Sequence, residues 1–239
     1  MRSAVLISLL AALLAPATAL ARPVAAVKVT ECVPSLVPAQ RVASFEATAR
    51  AIAFSDRMQL RFTVQAKSGA QPFWHRVLTP GLDGWRTSMP GVRRYAYTRT
   101  LQNLSAPASY RTVVRFRWLD AQGDVVRAAR VTSARCRQPD LRPDLVPVRV
   151  EAGPVRDDGS RRYVVTVRNR GGSASAPSAV ALGDVTAPLA TILPGAAASA
   201  VVFAPACVPA LPVRAVTDPG NAVDERDEGN DVLVAPCPG

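Results

Sequence analysis

The stretch YRTVVRFRWLDAQGDVVRAARVTSARC, residues 110–136, contains two runs of alternating residues joined by a short polar segment. A period of two residues is typical of a β-strand with one buried face. The segment Asp120-Ala121-Gln122-Gly123 between the runs ends in a glycine, which adopts the positive φ that tight turns require. The stretch therefore predicts a β-hairpin. The first strand is predicted to have an apolar face of Tyr110, Val114, Phe116 and Trp118 and an opposite face of Arg111, Arg115 and Arg117.

The same alternation recurs along the chain, in residues 58–67, 161–171 and 212–218. In the first of these segments Met58, Leu60, Phe62 and Val64 are predicted to face the core. No segment has the sustained 3.6-residue period of an amphipathic helix. Many short strands separated by Pro- and Gly-containing turns are typical of β-sandwiches. We therefore predict an all-β protein with two tandem immunoglobulin-like sandwich domains.

Composition changes at residues 135–150, which contain three prolines and the repeated tripeptide Pro-Asp-Leu. Residues 28–139 have 18 basic and 6 acidic side chains, whereas residues 140–239 have 9 basic and 12 acidic ones. The chain thus joins a basic half to a mildly acidic half. We predict a basic domain at 28–138, a Pro-rich linker at 139–144 and a second domain at 145–239.

The first residues have the pattern of a secretory signal peptide, residues 1–21. A basic Arg2 precedes the apolar stretch at 4–15, and the small-x-small sequence Ala19-Leu20-Ala21 follows. This pattern predicts cleavage after Ala21 and export to the periplasm or the cell exterior. No later apolar stretch approaches the roughly 20 residues that a membrane-spanning helix needs.

Four cysteines are scattered through the chain, and none has the C-x-x-C spacing of zinc or redox motifs. In an exported protein an even number of separated cysteines favours disulfides. Three pairings are possible in principle. Pairing within each domain is the simplest of them, and it predicts the disulfides Cys32–Cys136 and Cys207–Cys237.

The C-terminal half, about residues 142–237, resembles the bacterial cell-adhesion-related domain CARDB. The resemblance begins at Pro143-Asp144-Leu145 and continues in YVVTVRNRGGSAS, where the family has an Asn-x-Gly turn followed by a small residue. It closes in DPGNAVDERDEGND, residues 218–231, where Asp231 replaces the final Asn of the family pattern. The residues that match these motifs are Asn169, Gly171, Ala174, Asp218, Asn221, Val223, Glu225, Glu228 and Asn230.

The resemblance implies a seven-stranded sandwich in a secreted or surface protein, usually as a non-catalytic module. It implies no particular ligand. The N-terminal half has a generic immunoglobulin- or fibronectin-like pattern and resembles no specific family.

Six of the fourteen residues at 218–231 are Asp or Glu, and three interpretations of this acidic turn are open. In the first, Asx side chains cap the backbone and the Glu side chains face water. In the second, carboxylates bind calcium, and in the third they form a catalytic pair. The spacing does not match an EF-hand loop, so we expect neither a metal nor another cofactor. The weak calcium candidates are Asp218, Asn221, Glu225, Asp227 and Glu228.

Catalytic signals are sparse. The chain has a single histidine, His75, and no nucleophile elbow or nucleotide-binding loop. We therefore expect a non-catalytic binding or adhesion protein, with an exported hydrolase or accessory subunit of a surface enzyme as the alternative. The expected partner is a cell-surface polymer or a protein; nucleic acid is not expected. The candidate polyanion-binding residues are Arg111, Arg115, Arg117 and, if the hairpin register allows, Arg127.

Overall fold

The computed structural model describes residues 23–78, 81 and 84–238. The predicted signal peptide lies outside these residues. In the part of the chain that is described, no helix has both the length and the apolar character needed to cross a bilayer. The described chain is nearly all strand and turn, and it forms two β-sandwiches, in agreement with the predicted fold class.

The first sandwich consists of two antiparallel sheets. One sheet has the order β1-β2-β6, and the other has the order β4-β3-β7-β8, with β5 paired to β3 and β9 paired to β7. This is the strand order of an immunoglobulin-like sandwich: the chain passes from β2 to the second sheet at β3, returns to the first sheet at β6 and enters the second sheet again at β7. The strands are β1 (Ala25–Val33), β2 (Val42–Arg50), β3 (Arg57–Ser68), β4 (His75–Arg76), β5 (Arg86–Thr87), β6 (Arg94–Leu101), β7 (Ala108–Leu119), β8 (Val125–Thr132) and β9 (Cys136–Gln138), with a short 3-10 helix at Pro38–Gln40.

The core of the first sandwich contains the apolar faces that the alternation predicted. Trp118 is completely buried, and its indole Nε1 donates to the Arg50 carbonyl of the opposite sheet over 2.6 Å. The hydroxyl of Tyr110 accepts from the Ser105 N–H and donates to the Ser105 carbonyl. This bond resembles the tyrosine corner of immunoglobulin-like domains. The predicted core residues Met58, Leu60, Phe62, Val64, Tyr110, Val114 and Phe116 are all buried.

The second sandwich repeats this arrangement. Its sheets have the orders β10-β11-β14 and β13-β12-β15-β16, so its described residues form the seven strands that the family resemblance implied. Inward-facing side chains of both sheets form a separate core around Tyr163, Val165 and Ile192. The strands are β10 (Leu145–Val155), β11 (Ser160–Asn169), β12 (Ser178–Leu182), β13 (Val185–Leu189), β14 (Ala197–Pro205), β15 (Val213–Thr217) and β16 (Val232–Ala235).

Each sandwich contains one disulfide. Cys32 of β1 is bonded to Cys136 of β9, and Cys207 after β14 is bonded to Cys237 after β16. Both bonds are the within-domain pairs that the cysteine positions predicted. They connect sequence-distant segments at the edges of the two cores, with separations of 104 and 30 residues.

Candidate functional site

The outer face of the first sandwich carries a row of arginines across three neighbouring strands. Arg61 of β3 lies directly opposite Arg115 of β7, and Arg115 lies directly opposite Arg130 of β8. Directly opposite residues in antiparallel strands point to the same side of the sheet. We call this surface the basic face; it consists of Arg61, Arg111, Arg115, Arg117 and Arg130.

Two of these guanidinium groups lie over tryptophan rings. The guanidinium carbon of Arg111 is 4.1 Å from the centroid of Trp74, and Nε of Arg111 donates to the Gln65 side chain over 2.8 Å. The guanidinium carbon of Arg117 is 4.3 Å from the centroid of Trp85. An aromatic ring under a cation attracts it and limits its motion. The face therefore holds two arginines in fixed positions beside the row.

A shallow cleft lies within the basic face. It is lined by Trp85 and by residues of β7 and β8, namely Arg115, Phe116, Arg117, Ala128, Ala129 and Arg130. None of the row's guanidinium groups forms an ion pair with a carboxylate anywhere in the described ranges. Their charge is thus available to an anion from outside the molecule.

The prediction that Arg127 joins this surface is wrong. The register places Arg127 opposite Trp118, and its guanidinium lies 5.7 Å from the centroid of that buried ring. Arg127 therefore lies on the core side of β8, whereas Arg130 takes the place on the basic face. The cause is a register shift between Trp118 and Leu119, where β8 carries one extra residue.

The acidic turn, residues 218–231, packs against the segment that enters the second sandwich. Glu225 accepts through Oε2 from the Leu145 N–H, and the Arg226 N–H donates to the Pro143 carbonyl over 2.8 Å. The Arg226 guanidinium pairs with the buried Asp144 carboxylate, which also accepts from the Asn230 amide. The acidic turn thus holds in place the chain segment that connects the two sandwiches.

The Asn-x-Gly turn, residues 169–171, binds the same connecting segment through the Asp144 N–H. The Asn169 side chain is fully buried and makes four hydrogen bonds: it accepts from the backbone N–H groups of Asp144 and Gly171 and donates to the carbonyls of Ser173 and Ile192. A Cβ atom on Gly171 would lie 2.3 Å from the Arg142 carbonyl oxygen. The motif therefore requires both an amide and a glycine.

The expectation that the Glu side chains of this turn face water is wrong for Glu225. Only 1% of Glu225 is exposed, whereas Glu228 is exposed. Glu225, Glu228 and Asp231 bring carboxylate oxygens within 4.8 Å of one another, and we call these three residues the carboxylate cluster. Asp231 was not among the calcium candidates inferred from the sequence.

Burial changes the acidity of two members of this cluster. Desolvation raises the pKa of the Glu225 carboxyl to about 7, against the opposing effect of the Leu145 N–H bond, and nearby carboxylates add to the rise. Desolvation likewise raises the pKa of Asp231 to about 6, with contributions from the neighbouring acids Glu228 and Asp218. Glu225 Oε1 and Asp231 Oδ1 are buried and accept no hydrogen bond from the described residues.

The other calcium candidates have different surroundings. Asp218 is buried and accepts from the Val223 N–H over 2.8 Å, so it caps the turn as predicted for an Asx residue. Asp227 accepts from the Gly229 N–H, and Asn221 is an exposed turn residue with φ of 46°. Of the five sequence-derived candidates, the structure therefore brings only Glu225 and Glu228 into the cluster.

His75 lies in the two-residue strand β4 and is exposed. The cleft beside it is lined by Ser68, Gln71, Thr100 and Tyr110, and by further uncharged groups. The described lining includes no carboxylate that would orient the imidazole as a general base.

Comparison with known proteins identifies a class of domain for the second half of the chain. The family model CARDB matches residues 142–235, and it confirms the resemblance inferred from the turn motifs for the C-terminal half. The search of curated proteins found no match.

One solved structure with similarity is the CsuC-CsuE chaperone–tip adhesion subunit pre-assembly complex from archaic chaperone-usher Csu pili of Acinetobacter baumannii. The identity is 12%, the alignment covers 82% of this chain and 91% of that chain, and the TM-score is 0.25. A TM-score this low supports no inference about this protein's function.

Proposed function

We propose that this is an exported, non-catalytic binding protein of the adhesion type, and that its basic face binds an anionic polymer of the bacterial envelope or exterior. The observation that carries the proposal is the row Arg61, Arg115 and Arg130, three directly opposed arginines with no carboxylate partner in the described chain. Such a row costs stability through charge repulsion. A bound polyanion would reverse this cost.

The chemistry of the face fits phosphate or carboxylate groups. Arginine presents a planar fork of donors that binds either anion bidentately. Arg111 and Arg117 lie on Trp74 and Trp85, so less conformational entropy is lost when these side chains contact a ligand. The excess of basic residues in 28–139 adds long-range attraction for a polyanion.

Export is supported by the two disulfides, because such bonds persist in oxidising compartments. The match to CARDB is consistent with a secreted or surface module. The second sandwich then acts as a spacer or as a contact for another protein, while the first sandwich carries the polymer-binding surface.

The test is binding to two soluble polymers, polyphosphate and polygalacturonate, at a fixed salt concentration. We expect the variant Arg61/Arg115/Arg130→Ser to lose at least tenfold in affinity for one of them. The matched control is Arg162/Arg168/Arg214→Ser, which removes the same charge from exposed strand positions of the second sandwich. Circular dichroism would check that both variants are folded.

Two results would contradict the proposal. Equal losses of affinity in the two triple variants would show that binding depends on net charge alone. Unchanged affinity in Arg61/Arg115/Arg130→Ser would show that the basic face does not bind the polymer. Turnover of generic ester, peptide or glycan substrates by the purified protein would favour the alternative, an exported hydrolase.

A further inference from the structure

We propose that the carboxylate cluster of the second sandwich, Glu225, Glu228 and Asp231, is a calcium site. It lies at the end of the β15–β16 pair where β15 ends and β16 begins. Two oxygens bound to one Ca²⁺ at its usual bond lengths lie no more than about 5 Å apart. The three carboxylate groups offer ligand atoms that all lie within 4.8 Å of one another. Carboxylate oxygens are the preferred ligands of this cation.

Proximity of acidic groups alone is common on protein surfaces, but this cluster is buried on one side. The exposed fractions are 1% for Glu225 and 7% for Asp231. Glu225 uses Oε2 to accept from the Leu145 N–H, and its Oε1 has no donor among the described residues. Oδ1 of Asp231 also lacks a donor there. Buried carboxylate oxygens without donors are costly unless a cation or proton neutralises them.

A further buried oxygen belongs to Thr217, whose backbone is paired with that of Asp231. Residues Ala215 and Leu233 are paired across β15 and β16, and the next inward-facing pair in this register is Thr217 and Asp231. The Thr217 N–H donates to the Asp231 carbonyl over 2.8 Å, which fixes the pair. The Thr217 side chain is completely buried, and its hydroxyl has no partner in the described chain. A cation bound by Asp231 would provide a partner for this hydroxyl oxygen.

The exposed member of the cluster leaves a route for the ion and its water ligands. Glu228 lies at the surface, where Oε1 accepts from the Glu225 N–H over 2.8 Å. Its second oxygen is free of that bond. Ca²⁺ takes six to eight oxygens and accepts water among them, whereas Mg²⁺ requires a stricter octahedral arrangement. Three carboxylates, a hydroxyl and solvent therefore suit Ca²⁺ better than Mg²⁺.

The chain's own sequence adds a chemical argument. The family pattern that residues 218–231 resemble ends in Asn, and this chain has Asp231 instead. An Asn at this place has an N–H₂ group that can donate to a neighbouring carboxylate, whereas an ionised Asp has only acceptors. Asp231 therefore adds a negative charge close to the Glu225 carboxylate, and it lacks the donor that an Asn would bring. The expectation of no metal rested on the spacing of the acidic turn, whereas the cluster combines Glu225 and Glu228 with Asp231, which was outside that candidate set.

The test uses the full chain after removal of metals with EGTA, titrated with CaCl₂ by calorimetry at pH 7.5 in 0.15 M NaCl. We expect one ion per chain with a Kd of roughly 0.1–1 mM, the range of extracellular calcium modules. Hydrogen exchange measured by mass spectrometry locates the effect. Peptides that contain Leu145 and Glu225 should exchange at least fivefold more slowly in 5 mM CaCl₂, because the cation stabilises the turn that holds both amides.

Three variants decide the assignment. Asp231→Asn and Glu228→Gln should each weaken Ca²⁺ binding at least tenfold, and Glu228→Gln tests an exposed residue whose loss does not disturb the core. Asp184→Asn is the matched control, because it removes one exposed carboxylate from the β12–β13 turn of the same sandwich. It should bind Ca²⁺ as the wild type does.

The proposal is overturned if the wild-type chain shows no heat of Ca²⁺ binding and no slower hydrogen exchange at CaCl₂ concentrations up to 5 mM. Wild-type affinity in Asp231→Asn, or equal protection by 5 mM MgCl₂, would overturn it as well. If the wild-type chain binds no Ca²⁺, a proton held between Glu225 and Asp231 would reduce the charge of the cluster instead. All three tryptophans belong to the first sandwich, so an unchanged Trp-fluorescence unfolding curve with and without Ca²⁺ confirms that the effect is local.

Discussion

Arg61 and Arg115 lie directly opposite each other in the β3–β7 pair, so two positive side chains share one position across the sheet. Opposed like charges destabilise a sheet. We expect Arg115→Gln to raise the free energy of unfolding of the first sandwich by about 0.5 kcal/mol at low ionic strength. Urea unfolding followed by Trp fluorescence measures this change.

The gain from Arg115→Gln should shrink in 0.5 M NaCl, because salt screens exposed charges. The variant Arg162→Gln, in the second sandwich, should leave the Trp-reported transition unchanged. An Arg115→Gln protein that is less stable than the wild type at both salt concentrations would show that the arginine contributes more by packing than it costs by repulsion.

Gly171 is predicted to be irreplaceable. A methyl group there would meet the Arg142 carbonyl oxygen at 2.3 Å, and that oxygen belongs to backbone that the Asn169 side chain and the acidic turn hold in place. We expect Gly171→Ala to lower the free energy of unfolding of the second sandwich by about 2–4 kcal/mol. Gly220→Ala is the control, since a Cβ atom there meets nothing within 4 Å. Far-UV circular dichroism during urea unfolding compares the two, and equal losses would refute the steric argument.

The stability of the second sandwich should depend on pH when divalent cations are absent. The folded-state pKa of Glu225 is raised to about 7 and that of Asp231 to about 6. A raised pKa means that the folded state binds the proton more tightly than the unfolded chain does. The resulting stabilisation is complete below the unfolded pKa near 4 and is lost as the pH rises through 6 and 7.

In EGTA we therefore expect the free energy of unfolding of this sandwich to fall between pH 5 and pH 7.5, by an amount on the order of 2–3 kcal/mol. Asp231→Asn should flatten this dependence, because it removes one of the two titrating groups and its charge. Urea unfolding at both pH values in EGTA provides the measurement. A wild-type sandwich that is more stable at pH 7.5 than at pH 5 would contradict the predicted sign.

The disulfide Cys207–Cys237 closes a loop of about 30 residues, and replacing both cysteines by Ser should cost about 3–4 kcal/mol. The longer loop closed by Cys32–Cys136 gives about 4–5 kcal/mol in the same loop-entropy model. Non-reducing peptide mapping should recover only these two pairs. Free thiols, or a peptide joining Cys136 to Cys207, would contradict the pairing.

The sequence predicted those features that depend on neighbours along the chain. Alternation identified the buried faces of β3 and β7, and the cysteine positions suggested the pairings. The place of Arg127 was beyond such reasoning, because one extra residue in β8 exchanges the two faces of that strand.

The carboxylate cluster was also beyond it, for a different reason. Glu225 is buried because it accepts from the backbone of Leu145, 80 residues earlier in the chain. Periodicity within the acidic turn contains no information about that contact. The same holds for Trp74 and Trp85, whose positions over Arg111 and Arg117 depend on how connecting segments fold back across the sheet.

The hydrogen bonds and the ion pair between the acidic turn and residues 143–145 also have a mechanical consequence. A pulling force on the first sandwich reaches the second one through the chain that Pro143, Asp144 and Leu145 occupy. Side-chain and backbone bonds from Glu225, Arg226 and Asn230 hold that chain. Single-molecule stretching should show a lower first rupture force in Arg226→Gln than in the wild type. In a protein anchored by one sandwich and loaded through the other, the acidic turn would bear tension before β10 begins to separate from β11.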